Sequence, residues 1–263
     1  MQLKIWQVDA FADRVFSGNP AAVVPLEHWL DGPVMQAIAS ENNLSETAFF
    51  APHGDGYEIR WFTPASEVKL CGHATLASAF VVFTRLRPEA KTAHFHSASG
   101  ELVVNRRDDG FLELDFPARP PRPIASVPDE ITEALGARPQ AVFDQDDYLA
   151  VFETAADVAA LSPDFAKLMQ LDRRAVIATA PGDDCDFVSR FFAPKVGVPE
   201  DPVTGSAHCI LIPYWADRLG KSSLYARQIS ARGGELMCRL AGSRVGIAGR
   251  AALYLEGTIA IPD

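Results

Sequence analysis

Three stretches of the chain place chemistry-bearing side chains beside features that could tune them. Glu46 stands between Ser45 and Thr47, just before the apolar run Ala48-Phe49-Phe50. Partial burial there would raise a carboxyl pKa towards neutrality, and such a group can take and give a proton near pH 7. The competing reading is an exposed glutamate opening a strand, and spacing alone favours it. Cys71-Gly72-His73 heads a nearly all-apolar run that ends at Arg85. If the run is a helix, its positive end favours a thiolate at Cys71 and a neutral, hydrogen-bonding ring at His73. A lone histidine is more often structural. Asp201-Pro202 precedes Thr204-Gly205-Ser206, and an aspartate followed by proline reads as a capped helix start. Gly72, Gly205 and Ser206 would supply backbone and hydroxyl donors to a carboxylate, although tight turns at helix starts use the same residues.

The elements that must hold these groups occur twice. Sliding the sequence on itself by ~130 positions lays Arg60-Trp61-Phe62-Thr63-Pro64 over Arg190-Phe191-Phe192-Ala193-Pro194. In the same register Val68 meets Val198, Cys71 meets Asp201 and Ala77 meets Ala207. Each copy reads as an aromatic strand, a proline-containing loop, a polar turn and an apolar helix. Two similar halves follow, each aiming a helix start at a cleft suited to a small anion.

Along the chain, LKIWQVDAF predicts a strand and Ser17-Gly18-Asn19-Pro20 a turn. A helix is expected over 33–42, strands at 47–50 and 57–62, and a fully buried helix over 73–85. Three strand-like pieces follow up to Pro117. The stretch PARPPRP at 117–123 holds four prolines and reads as a hinge. Beyond it come a helix over 126–135, a buried helix from Thr204 to just before Gly220 that Pro213 should kink, and strands joined at Gly233-Gly234 and Gly242. The halves therefore run over 1–117, completed by the last strand at 251–263, and over 124–250.

Composition narrows the partners. A net charge of −10 with no basic patch excludes nucleic acid as a partner. The four cysteines, Cys71, Cys185, Cys209 and Cys238, form no CxxC pair and no zinc spacing. His94 and His96 alternate on a strand with no third ligand in view. Charges stand too early for a signal peptide, and no apolar run could cross a bilayer. Phosphate-loop, dinucleotide and nucleophile-elbow motifs are absent. The expectation is a soluble cytoplasmic protein that needs neither metal nor cofactor.

Taken together, Ser17-Gly18-Asn19-Pro20, Asn43-Leu44-Ser45-Glu46-Thr47-Ala48-Phe49, Arg60-Trp61-Phe62-Thr63-Pro64, Cys71-Gly72-His73-Ala74-Thr75, Glu200-Asp201-Pro202-Val203-Thr204-Gly205-Ser206-Ala207 and Arg232-Gly233-Gly234 resemble the PhzF-like phenazine-biosynthesis family. The match spans nearly the whole chain in the family's order. It implies an α+β, diaminopimelate epimerase-like fold of two halves, each a curved, mainly antiparallel sheet or barrel wrapped round a central helix. It further implies a homodimer and a cofactor-independent isomerase moving a proton within a small carboxylate-bearing metabolite, with dihydro-hydroxyanthranilate as prototype. By the resemblance Glu46 is the general acid/base, His73 and Asp201 act with it, and Asn19, Cys71, Gly72, Gly205 and Ser206 contact or brace the substrate. Epimerases of this fold use two facing thiols. Here Asp201-Pro202 stands where the second would be, while Cys209 lies further into the helix and reads as packing. Two rivals stay open: an epimerase or racemase using Cys71 with an unconventional partner, and a binding protein that keeps the cleft without turnover.

Overall fold

Strand β1 (Gln2–Ala10) can fold back into β2 (Asn19–Pro25) only through glycine. Gly18 has φ +66°, and a Cβ there would run into the carbonyl oxygen of Ala10. Ala10 pairs with Asn19, which is therefore pinned at the head of β2 and fully buried. Helix α1 (Gly32–Asn42) carries the chain across to β3 (Glu46–His53), which runs parallel to β2 with Ala21 opposite Glu46. The buried face of α1, Met35, Ile38 and Ala39, packs against Ile5, Val24, Leu26, Phe49 and Phe62. Strand β4 (Gly56–Phe62) lies antiparallel to β3, and the two-residue β5 (Glu67–Val68) turns back on it.

Helix α2 (Gly72–Val81) is buried at every residue from His73 to Ala79 and continues as a π-helical turn over Val82–Leu86. A helix without a wet face must satisfy its hydroxyls internally. Accordingly Thr75 Oγ1 donates to the Cys71 carbonyl and Ser78 Oγ to that of Ala74. Strand β6 (Thr92–Ser97) then runs parallel to β4, followed by the antiparallel β7 (Gly100–Arg106) and β8 (Leu112–Pro117).

The same plan returns after the proline-rich stretch, through β9 (Arg122–Pro123), α3 (Asp129–Leu135), β10 (Ala141–Asp144), β11 (Tyr148–Val151), α4 (Ala155–Ala160), α5 (Phe165–Leu168), β12 (Val176–Pro181) and β13 (Phe187–Ala193). It finishes with β14 (Val198–Asp201), α6 (Gly205–Leu219), β15 (Ser223–Gln228), β16 (Gly234–Ala241) and β17 (Arg244–Gly249). Strands β11 and β12 are parallel across α4 and α5, as β13 and β15 are across α6. Strand β18 (Ala251–Ala260) closes the chain antiparallel to β1. This computed structural model describes residues 1–261. It divides into two compact units, Met1–Asp115 with the chain from Ala248 onward, and Phe116–Ile247. Among the described residues no helix is long and apolar enough to cross a membrane.

Three features depart from the sequence reading. Helices α4 and α5 are absent from the sequence reading, although Thr154 and Asp157 form a capping box on one and Asp164 caps the other; they cover Val176, Ala178 and Phe192 with Val158, Leu161 and Leu168. The proline-rich stretch is bonded within the second unit instead of standing free as a hinge. Ala118 N–H donates to the Ser243 carbonyl and Arg119 N–H to that of Cys209, while Arg122 and Pro123 pair with β10. The Cys209 carbonyl is the acceptor that Pro213 strands inside α6 by lacking an N–H, so Arg119 supplies the missing donor.

Finally, the ungapped repeat slips after β13. Trp61 pairs with Val68 but Phe191 with Asp201, and the helices open at Gly72 and Gly205. Extra residues in the β13–β14 connection, where Pro194–Val196 forms a 3₁₀ turn, absorb the difference. Cys71 therefore corresponds to Thr204, and Asp201 to Val68.

Candidate active site

Four of the sequence-predicted residues meet inside the first unit. His73, the second residue of α2, is buried, and its Nε2 lies 3.2 Å from Oε2 of Glu46 at the head of β3. On the other side of the ring, Asn19 Nδ2 is 3.2 Å and Cys71 Sγ 3.5 Å from Nδ1. The thiol can donate or accept, whereas the Asn19 amide nitrogen only donates, and this orientation pairs with the tautomer that carries the ring proton on Nε2. Burial holds His73 neutral, its pKa pushed down to about 3. The side chain of Glu46 is 15% exposed, whereas its Oε2 atom is buried. Cys71 is the extended residue ahead of α2 (φ −145°, ψ 111°), its side chain makes no cap bond, and Gly72 opens the helix.

The second unit holds Asp201, Gly205 and Ser206 at its own helix start. Asp201 does not cap α6. It ends β14, and Thr204 takes the extended cap position (φ −118°, ψ 102°). Thr204 Oγ1 turns away from the helix and donates to Asp201 Oδ2 at 2.5 Å. Gln228, at the end of β15, holds this turn from both sides: its Oε1 accepts from Thr204 N–H at 2.9 Å, and its Nε2 donates to the Asp201 carbonyl at 2.7 Å and to Thr204 Oγ1 at 3.2 Å. Gln228 is 1% exposed, so its amide is spent on this turn. His208, one helical turn on, is fully buried; its Nδ1 contacts the Thr204 carbonyl at 2.8 Å, and burial takes its pKa down to about 4.

Sequence reasoning missed Gln228, for nothing in its neighbourhood marks a glutamine as a brace until the parallel pairing of β13 and β15 sets Ser189 opposite it. It also missed the donor set Glu46, Cys71 and His73, whose ligand atoms all lie within 4.8 Å of one another. That set joins β3 to the start of α2, a proximity that linear spacing cannot show. Cys209 is buried and its thiol pushed up to about 12, in line with packing. His94 contacts Glu101 at 2.9 Å and His96 stacks edge-on to His53, so neither belongs to the cluster.

Comparison with known proteins identifies the family and the fold. Residues 8–257 match the family described as phenazine biosynthesis-like protein, PhzC-PhzF. An uncharacterized isomerase of Pseudomonas aeruginosa is 55% identical, with 98% of this chain and 99% of that protein covered. A PhzF-family crystal structure from Enterococcus faecalis superposes with a TM-score of 0.96 at 48% identity, covering 99% of this chain and 100% of the other. A hydroxyproline epimerase from Agrobacterium vitis shares the fold alone, at a TM-score of 0.62 and 12% identity over 100% of this chain and 93% of its own. The fold is α+β and epimerase-like, and the chain belongs to the PhzC-PhzF phenazine biosynthesis-like family.

Proposed function

We propose that the protein is a cofactor-independent isomerase that moves a proton within a small carboxylate-bearing metabolite, with Glu46 as the general acid/base. The observation that carries this is the Glu46 carboxylate lying 3.2 Å from the buried, neutral His73. Oε2 approaches the His73 ring at 3.2 Å without an aligned hydrogen bond, and the carboxyl takes the carbon-bound proton. Because the ring is hard to protonate, it does not compete for that proton, and Glu46 keeps it until it is returned at another carbon. The free N–H groups and positive end of α2, beginning at Gly72, suit the substrate carboxylate and the charge that develops when the proton leaves. Asn19 pairs with Nδ1 of His73. Gly205 and Ser206 are assigned the carboxylate-binding role of the other helix start, and Asp201 the orientation of a polar substituent. The family likeness supports a homodimer acting in the cytoplasm, and dihydro-hydroxyanthranilate as the first compound to try.

A two-thiol racemase finds less support, because the counterpart of Cys71 is Thr204, a hydroxyl already committed to Asp201. The test is incubation in D₂O with a panel of small carboxylated metabolites, following carbon-bound deuterium by NMR. Glu46→Gln should cut exchange by about 10² to 10⁴ while melting as the parent does. A fully active Glu46→Gln, with activity lost in Cys71→Ser, would hand the reaction to the thiol.

A further inference from the structure

Glu46, Cys71 and His73 offer one carboxylate oxygen, one sulfur and one imidazole nitrogen that all lie within 4.8 Å of one another. Tetrahedral zinc has bonds of about 2.0–2.2 Å to nitrogen and oxygen and about 2.3 Å to sulfur, which sets its ligands roughly 3.3–3.6 Å apart. The Nε2–Oε2 separation of 3.2 Å already matches such an edge. The sulfur stands 3.5 Å from Nδ1, on the other side of the ring, and must turn about its own Cα–Cβ bond to complete the face.

We propose that these three residues form a binding site for a soft divalent cation of the zinc type, and that its occupancy silences the isomerase. The ligand chemistry favours it. Sulfur and imidazole select zinc or cadmium over magnesium and calcium, which prefer oxygen alone. One thiolate and one carboxylate balance the two positive charges, so the filled site buries no net charge. The imidazole is held neutral by burial, as a ligand must be, and Cys71 stands at the positive end of α2, which favours a thiolate. Metal-bound histidines carry a partner on their second nitrogen. Asn19 already lies 3.2 Å from Nδ1, and a half-turn of its amide presents Oδ1 to an Nδ1–H. On binding, the Cys71 thiol releases its proton to solvent and the His73 proton moves from Nε2 to Nδ1. Three protein ligands leave a fourth position for water.

Binding stands on the geometry alone; the inhibitory consequence rests on the reading of Glu46 as acid/base, since a carboxylate bound to metal cannot shuttle a proton. The decisive experiment titrates purified protein with cadmium ions and follows the thiolate-to-cadmium charge-transfer band in the ultraviolet. One cadmium per chain is expected, lost in Cys71→Ser and unchanged in Cys185→Ser. Should Cys71→Ser fail to fold, Glu46→Gln decides: its cadmium affinity should fall by more than about tenfold, a loss that even supporting residues of metal sites produce. A band absent from the parent, persisting in Cys71→Ser, or equally strong in Glu46→Gln overturns the site. Zinc should abolish deuterium exchange and a chelator restore it. If cadmium binds as expected but zinc leaves exchange intact, the cation site stands and the acid/base role of Glu46 falls. If Glu46→Gln is inactive and no cadmium binds, the reverse holds.

Discussion

The starts of α2 and α6 share their scaffold bonds and differ in their chemistry. Arg60 grips Glu67 through two contacts of 2.7 Å, and Arg190 grips Glu200 at 2.8 and 2.9 Å. Each guanidinium also lies over the phenylalanine two residues on, Phe62 or Phe192. Ser99 Oγ donates to the Lys69 carbonyl and Ser230 Oγ to that of Pro202, both at 2.8 Å. Thr75 in one helix and His208 in the other bond back to the carbonyl of the residue that opens the turn. Beyond these shared devices the two part. Thr47 pairs with Phe62 and Val176 with Phe192, so the place of Glu46 falls to the buried Ala175 in the second unit. The place of Cys71 falls to Thr204, and that of His73 to Ser206. What the duplication has kept is the bonding that sets a helix start rigidly. What has diverged is the set of groups able to move a proton: a carboxylate beside a neutral histidine in one unit, a carboxylate held by a threonine hydroxyl in the other.

The sharpest way to break this comparison is to neutralise the second carboxylate. If Asp201 only orients substrate, Asp201→Asn should slow isomerisation by about 10² through a raised KM as well as a lower kcat, and leave some turnover. A loss as deep as that in Glu46→Gln, confined to kcat, would make Asp201 a second proton carrier and undo the division of labour.

A smaller effect should come from the brace itself. Gln228→Leu strands the buried Thr204 N–H and removes the donor to the Asp201 carbonyl. The cost should be about 3 kcal/mol of stability, since each buried polar group left without a partner costs about 1–3 kcal/mol, with a fall in turnover below that of Asp201→Asn. Thermal denaturation together with exchange kinetics reads both. A variant as stable and active as the parent would show that Asp201 is held in place without Gln228.

Much of this arrangement was legible beforehand because it rests on local patterns. The aromatic strands β4 and β13 and the all-apolar α2 and α6 advertise themselves through composition, and Ser17-Gly18-Asn19-Pro20 through turn chemistry. What was illegible depends on pairing between distant strands. A loop lengthened after Ala193 moved the true partner of Cys71 from Asp201 to Thr204, a shift that an ungapped overlay cannot register. Prolines 117–123 read as a hinge because composition reports stiffness but not the carbonyls a segment will find, in this case those of Cys209 and Ser243. The short α4 and α5 owe their stability to the apolar strands beneath them, so beyond the caps at Thr154 and Asp164 their own sequences carry little signal.

The least effect, and the one that isolates a single substitution between the two helix starts, concerns pH. Thr75 and His208 do the same bonding job, yet only His208 can titrate. Its folded-state pKa of about 4 lies below the ordinary histidine value of 6.5, so the unfolded chain takes up a proton that the folded one refuses. Stability from this group is complete above pH 6.5 and is lost as pH falls towards about 4, at about 1.4 kcal/mol per pH unit. His208→Thr, which copies α2 into α6, should be less stable than the parent at neutral pH because a smaller side chain fills the buried site. It should nevertheless lose stability less steeply between pH 6.5 and 4, with the gap to the parent narrowing by about 1 kcal/mol from pH 6.5 to 5.5. Denaturant melts at the two pH values measure that narrowing directly. Parallel curves would mean that His208 is protonated in the folded protein, its buried Nε2 having found an acceptor, and that the two helix starts differ more than their bonding suggests.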